Sequence, residues 1–312
     1  MTSAIRTRNL ERRFGRTKAL DGIDLDVPEG AVYAVVGANG AGKTTLIKVL
    51  MNILHATSGT AETLGMDARK LSGKAFQQIG YVSENQETPE WMTTGQMLSY
   101  YRSFYPQWDR GLEQQLVHTF GLPLDRKLKH LSRGMRMKAC FASSLAYRPA
   151  LIVLDEPFSG LDPLVRDELI EVLIDRAPET TIFLSSHDLA EIESFSSHVG
   201  YLENGRLLFS EEMGDVMERF REVTITVNGP ASRPDRPPES WLQVEAADSI
   251  ARFVHSRFSG GTASEVAEYF PSARDIRFEP MSLRAIFLAV AKSNRVSSTS
   301  APIVDAAKEV EV

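Results

Sequence analysis

Short apolar runs alternate with helix-patterned stretches over the first ~220 residues, the texture of an α/β domain. Residues 31–36 are unbroken apolar and predict a strand buried on both faces. Residues 44–54 carry Leu46, Ile47, Val49, Leu50, Ile53 and Leu54 on one wide face and predict a helix. Two more buried strands are predicted at 151–154 and 181–184. Between them, Leu169, Ile170, Val172, Leu173 and Ile174 predict a helix over 164–174 that packs on the sheet. Residues 97–122 differ. Tyr100, Tyr101, Phe104, Tyr105 and Trp108 stand there with no strand signal, so a helical insertion is predicted with its aromatics in the core.

Near Val223 the pattern changes. Residues 223–227 alternate β-branched and other residues, and Pro230, Pro234, Pro237 and Pro238 then crowd a stretch too rigid for helix or sheet interior. Beyond this loop a small α+β piece runs to Ala291, closing in a helix from Ser282 with Leu283, Ile286, Phe287 and Val290 on one face. Residues 292–312, rich in Ser, Thr, Ala, Lys and Glu, are expected to be disordered. The expected organisation is therefore 1–222, 223–291 and a tail, 292–312. The chain shows no internal repeat, so the first domain is present once.

Composition narrows the class. With 43% hydrophobic and 24% charged residues, a chain of 312 can bury a full core, which excludes whole-chain disorder, collagen and a disulfide scaffold. The 35 Lys and Arg against 41 Asp and Glu give a net charge of −6, with no global electrostatic reason to coat nucleic acid. The single cysteine, Cys140, cannot form an internal disulfide, fits a reducing compartment, and lies in an apolar stretch that predicts a buried, inert thiol. No apolar run approaches the ~18–20 residues of a membrane helix, and the first ten residues lack the apolar region of a signal peptide. The chain itself is expected in the cytosol. No CxxC or His/Cys cluster suggests zinc.

The candidate chemistry begins at residues 37–44, GANGAGKT, which satisfy G-x-x-x-x-G-K-[ST] between a predicted strand and a predicted helix. Such a loop wraps a phosphate chain with backbone N–H groups, and the helix amino terminus adds a positive end. Candidate nucleotide-binding residues are Gly37, Ala38, Asn39, Gly40, Ala41, Gly42, Lys43, Thr44 and Thr45. Lys43 reaches the β- and γ-phosphates in this arrangement, and the Thr44 hydroxyl is a Mg²⁺ ligand. Asp155 emerges at the carboxyl end of the 151–154 strand, where open α/β sheets bind ligands, and is a second candidate for Mg²⁺. Glu156 follows and can polarise a water for attack on the γ-phosphate.

Phosphate loops serve many enzymes, and the stretch between the two motifs distinguishes among them. Leu131-Ser132-Arg133-Gly134-Met135 resembles the LSGGQ signature of ABC ATPases. Pro157 to Asp162 resembles that family's D-loop, Ser185-Ser186-His187 its switch histidine, and Ile79 to Glu84 its Q-loop region. Phe14 stands where the family places an adenine-stacking aromatic, a core ring being the alternative. The resemblance covers residues 2–220. It implies a P-loop NTPase core of the ABC ATPase type with a helical signature subdomain at about 88–149, plus a small C-terminal α+β accessory domain. It further implies Mg²⁺-dependent ATP hydrolysis, with Ser132 and the Gly134 backbone covering the γ-phosphate of a second copy, His187 sensing the phosphoryl group and Asp162 on the dimer seam. Arg133 and Met135 depart from the signature, which implies loss of a side-chain contact to the ribose. At the Q-loop position Glu84 stands in place of a glutamine and Gln86 lies two residues on, and both are candidates for ATP and Mg²⁺.

The resemblance points to the energy-coupling subunit of an ABC transporter of the ABC-2 exporter type, in a homodimer on the cytoplasmic face of an integral membrane permease. No nucleic-acid partner is expected. Residues 87–95, with Trp91 and Met92, are where the family docks its membrane partner, folding of both side chains inward being the alternative. A soluble ABC ATPase acting on ribosomes or DNA is the alternative function. A regulator without hydrolysis is disfavoured by the presence of Asp155, Glu156 and His187 together.

Overall fold

The computed structural model describes residues 2–299, which divide into two compact units between Met213 and Gly214. The first unit opens with β1 (Ser3–Phe14), β2 (Thr17–Pro28), β3 (Val32–Val36), α1 (Lys43–Leu50), β4 (Ser58–Thr63) and β5 (Met66–Asp67). Then come α2 (Gly73–Phe76), β6 (Ile79–Ser83), α3 (Thr94–Arg102), α4 (Arg110–Thr119) and α5 (Arg133–Leu145). It closes with β7 (Leu151–Asp155), α6 (Pro163–Arg176), β8 (Thr181–Ser186), α7 (Leu189–Glu193), β9 (His198–Glu203) and β10 (Arg206–Glu212). A six-stranded sheet runs β10-β9-β3-β8-β7-β6, parallel except for β10, and a smaller antiparallel sheet runs β2-β1-β4-β5.

Every residue of β3, β7 and β8 is buried, as strands covered on both faces must be. Register then fixes the site. Val36 pairs with Ser186, Asp155 with Ser185 and Ser83 with Asp155, so the carboxyl ends of four parallel strands open on one edge.

Two predicted helices end differently from expectation. The helix expected over 44–54 stops at Leu50, because Asn52 turns left-handed (φ 55°), and Ile53 is left exposed. The helix expected over 164–174 forms as α6, but only Leu169, Val172 and Leu173 are buried and Ile174 faces solvent. The predicted insertion is two helices. Thr93 and Gln96 form a capping box on α3, and Asp109 caps α4. Its aromatics split. Tyr105 stacks on Tyr147 at 3.8 Å, whereas Tyr100 and Phe104 pack edge-on against each other at 5.0 Å and are about half exposed. The buried positions of α3 are Thr94, Met97 and Leu98, and Tyr101, an i+4 and i+3 step from the last two, shares their face and is half-buried, whereas Tyr100 falls beside it.

The second unit comprises α8 (Met213–Arg219, its first residue belonging to the first unit), β11 (Arg221–Val227), β12 (Trp241–Ala247), β13 (Ile250–His255), α9 (Thr262–Tyr269), β14 (Ala273–Pro280) and α10 (Leu283–Thr299). Its antiparallel sheet runs β12-β13-β11-β14 over a core in which Trp241 stacks on Phe253 at 4.0 Å. The unit starts before the compositional change at 223 because α8 and the start of β11 precede it. Leu283, Ile286 and Phe287 of α10 are buried. That helix continues through 292–299, which the sequence reading placed in a disordered tail: the apolar face set up by 283–290 propagates it. The rest of that tail, 300–312, lies outside the described residues. Among the described residues, no helix is long and apolar enough to cross a membrane.

Candidate nucleotide site

The loop from Gly37 joins β3 to α1 with Gly40 and Gly42 at φ 83° and 112°. A Cβ at Gly42 would sit 2.5 Å from the Ala19 carbonyl oxygen, so the turn demands glycine for room as well as for φ. Gly42 is also the N-cap of α1 and offers no side-chain acceptor, which leaves the first N–H groups of the helix for an anion. Ala38, Asn39 and Gly40 form the exposed tip of the loop, Ala41 is buried beneath it, and Thr45 is half-buried on α1.

Lys43 is 5% exposed, and its ammonium donates to the Gly37 and Ala38 carbonyls at 2.6 and 3.3 Å. The same group lies 3.0 Å from Glu156 Oε1, while Glu156 Oε2 lies 2.7 Å from His187 Nδ1. One carboxylate thus bridges the ammonium of the phosphate loop and the imidazole after β8. Glu156 holds a left-handed φ of 51°, a conformation a non-glycine residue keeps only where its surroundings enforce it. The enforcing contacts here include Ser185, whose hydroxyl accepts the Glu156 N–H at 3.0 Å. Ser185 in turn donates to Asp155 Oδ1 at 2.8 Å, and Thr44 donates to that oxygen at 3.0 Å.

A cavity of about 290 Å³ opens beside this cluster, lined by Thr44, Lys48, Tyr81, Ser83, Glu84, Asn85, Asp155 and Glu156. Glu84 therefore joins the cluster, its N–H bonded to the Asp155 carbonyl at 2.9 Å. Gln86 does not line that cavity: it borders a neighbouring one shared with Glu84 and Arg133 and another among Tyr81, Tyr101, Tyr105 and Tyr147, with Oε1 buried and unpartnered. Ser132 caps α5, its hydroxyl accepting the Met135 N–H at 3.2 Å, and Asp162 caps α6 by accepting from Val165. Gly134 faces Val165, whose Cγ1 would lie 3.1 Å from an added Cβ. Phe14 is 46% exposed with the Arg12 guanidinium 4.5 Å over its ring, which rules out the core alternative.

Lys43, Thr44, Asp155, Glu156, His187 and Glu84 thus converge, whereas Phe14, Ser132, Gly134 and Asp162 do not line that cavity. Sequence reasoning missed Ser185, which the Ser-Ser-His run signalled, and the partner of Glu84. That partner is Arg133, at 2.7 Å, and nothing in the local sequence announces a pairing across 49 residues. The Arg133 contact, followed by a hydrogen bond from Ser159, holds the Glu84 carboxyl below the usual carboxylate range.

The ABC transporter family model matches residues 20–159. The daunorubicin/doxorubicin resistance ATP-binding protein DrrA of Streptomyces peucetius is 33% identical over 307 residues, covering 93% of this chain and 92% of that one. The chain belongs to the ABC transporter ATP-binding proteins. Two further relatives match a shorter share of the chain. The bacitracin transport ATP-binding protein BcrA of Bacillus licheniformis is 32% identical over 226 residues (71% of this chain, 74% of that one), and YtrB of Bacillus subtilis is 29% identical over 223 (71% and 76%). Among solved structures, an ATP-binding subunit of an ABC transporter superposes with a TM-score of 0.64 at 26% identity, over 70% of this chain and 92% of that chain. The ADP conformation of the cassette MJ1267 does so at 0.59 and 25%, over 70% and 96%. This ABC ATPase therefore binds and hydrolyses ATP in the service of a transporter, and these relatives lend no support to a soluble role on ribosomes or DNA.

Proposed function

We propose that the chain is the ATPase subunit of an ABC-2-type exporter, working as a homodimer beneath an integral membrane permease on its cytoplasmic face. The observation that carries the catalytic reading is the Lys43–Glu156–His187 chain set beside the Thr44–Asp155 pair, all at the carboxyl ends of adjacent parallel strands. Names containing resistance or transport among its relatives support the exporter role.

In this reading residues 37–45 bind the triphosphate through backbone N–H groups, and Lys43 exchanges its carbonyl partners for phosphate oxygens. The exposed ring of Phe14 stacks on adenine. Glu156, freed from Lys43, orients the attacking water and accepts its proton, and His187 holds the carboxylate and then the departing phosphoryl charge. Thr44 and Asp155 place a hydroxyl and a carboxylate oxygen 3.0 Å apart, a hard-oxygen donor set that fits Mg²⁺, and Glu84 borders the same cavity. When bound there, Mg²⁺ supplies charge neutralisation for the phosphates. Ser132 and Gly134 sit at the amino terminus of α5 with a solvent-facing hydroxyl, suited to a second copy's γ-phosphate. Asp162, at the exposed start of α6, belongs to the same seam.

Trp91 is 68% exposed on the 87–95 segment while Met92 is half-buried, so the tryptophan alone is the candidate anchor for the permease. Two variants test the two halves of the proposal. Glu156→Gln lowers turnover at least ~100-fold while ATP binding persists, as removal of a general base requires. Trp91→Ala leaves hydrolysis by the isolated subunit unchanged but abolishes its stimulation by the permease in reconstituted vesicles. Wild-type turnover in the first, or a joint fall of basal and stimulated rates in the second, would count against the corresponding half.

A further inference from the structure

Glu84 places a third carboxylate on the cavity already lined by Asp155 and Glu156, where Lys48 is the lining cation and the ammonium of Lys43, in the adjoining loop, is paired with Glu156. A triphosphate entering there meets three negative side chains, and one more uncompensated charge at a few ångströms weakens its binding. The chain contains an answer to that charge. Arg133 Nη2 lies 2.7 Å from Glu84 Oε1, and the Ser159 hydroxyl donates to the same oxygen at 2.9 Å.

The guanidinium, about half exposed, also sits against the turn after β7. It packs against Gly160, at φ 64°, where an added Cβ would lie 2.9 Å from Nη1. A side chain at 160 would strain the turn and make the guanidinium shift. Arg133 is the first residue of α5, directly after Ser132. One side chain therefore ties the start of the signature helix to the segment after β6 and the turn after β7.

We infer that Arg133 is a positioning residue for ATP binding: it neutralises Glu84 and pins it, with Ser159, at the rim of the phosphate cavity. The arginine in the signature and the glutamate after β6 are in this view one coupled feature, each tolerable because of the other. The inference rests on the nucleotide reading of residues 37–45.

The test is a mutant cycle read by KM for ATP, kcat and binding of a fluorescent N-methylanthraniloyl ATP. Arg133→Met keeps the apolar stem and raises KM about tenfold with kcat within about twofold, the scale of one unmasked charge near a protein surface. Adding Glu84→Gln to Arg133→Met returns KM to within about threefold of the parent, and added salt shrinks the single variant's defect. Arg133→Lys, which keeps the charge without the planar guanidinium, lies between parent and Arg133→Met. An unchanged KM in Arg133→Met, or a double variant as weak as that single one, overturns the inference, since an arginine acting only on helix stability is not rescued by neutralising Glu84. Failure of the underlying reading looks different: the parent chain would bind no ATP analogue, or Lys43→Ala would bind it as well as the parent.

Discussion

Cys140 on α5 is 4% exposed, and burial pushes its thiol up to about 12. At pH 8 the thiolate is then scarcer than in free cysteine by more than a thousandfold, and access is blocked as well. Ellman's reagent should label the native chain at least ~100-fold more slowly than free cysteine and release one thiol promptly after denaturation in urea. Fast native labelling would mean that α5 does not pack as described. At this scale the sequence was most informative where chemistry is written into consecutive residues. The phosphate loop, the Asp155-Glu156 pair and His187 are each legible because a strand end and its following turn lie within a few positions. Glu84 and Gln86 were not separable that way: one lines the cavity beside Asp155 and the other borders only the neighbouring cavities, and neither outcome follows from spacing. Tyr100 and Phe104 failed for a related reason, since helical spacing shows that aromatics share a side without showing which side is covered.

Among elements, the parallel strands were the most legible because burial on both faces leaves an apolar run that no surface element carries. Helix ends were less so, as Asn52 ending α1 and the extension of α10 past 292 illustrate. Strand β13 carries a buried group with a measurable consequence. His255 is 1% exposed, its Nδ1 accepts the Arg257 N–H at 3.2 Å, and Nε2 is left unbonded 3.7 Å from Glu265 Oε2. The ring is therefore neutral, and burial lowers its pKa against the opposing pull of Glu265. With the folded pKa below the ordinary value of about 6.5, the unfolded chain binds the proton more readily. The stability this provides is complete above pH 6.5 and is lost as pH falls toward and through the folded value. Urea unfolding followed by Trp241 fluorescence, with Trp91→Phe and Trp108→Phe to silence the other unit, should shift to lower midpoints between pH 7.5 and 5. His255→Asn should flatten that dependence, and an equally steep profile in this variant would assign the effect to other groups.

At the scale of the whole molecule, each unit carries a hydrophobic cluster of its own, and the proline-rich stretch at 230–238 lies inside the second unit, between β11 and β12. The sequence signalled two domains through the change in texture, but a helix such as α8 has no compositional mark that assigns it to one side. Assembly is a larger step, because among the described residues no hydrogen bond or ion pair joins Lys43 to Ser132, which are implied to share one ATP. Lys43 is engaged by Gly37, Ala38 and Glu156, while the hydroxyl of the exposed Ser132 accepts from Met135 in its own helix start. In the proposed head-to-tail dimer a phosphate held by the first is reached by the second from another copy, and that contact exists only while a γ-phosphate is present to receive it. Glu156→Gln, which slows turnover, should therefore convert the 34.7 kDa chain to a species of twice that mass by light scattering in ATP and Mg²⁺, and leave it monomeric in ADP. Adding Ser132→Asp sets a carboxylate against the incoming phosphate and should keep the chain monomeric in ATP, while the analogue still binds at Lys43. Dimers that form equally in ADP, or that survive Ser132→Asp, would place the interface elsewhere, and a chain that stays monomeric through every nucleotide would separate ATP hydrolysis from the head-to-tail geometry altogether.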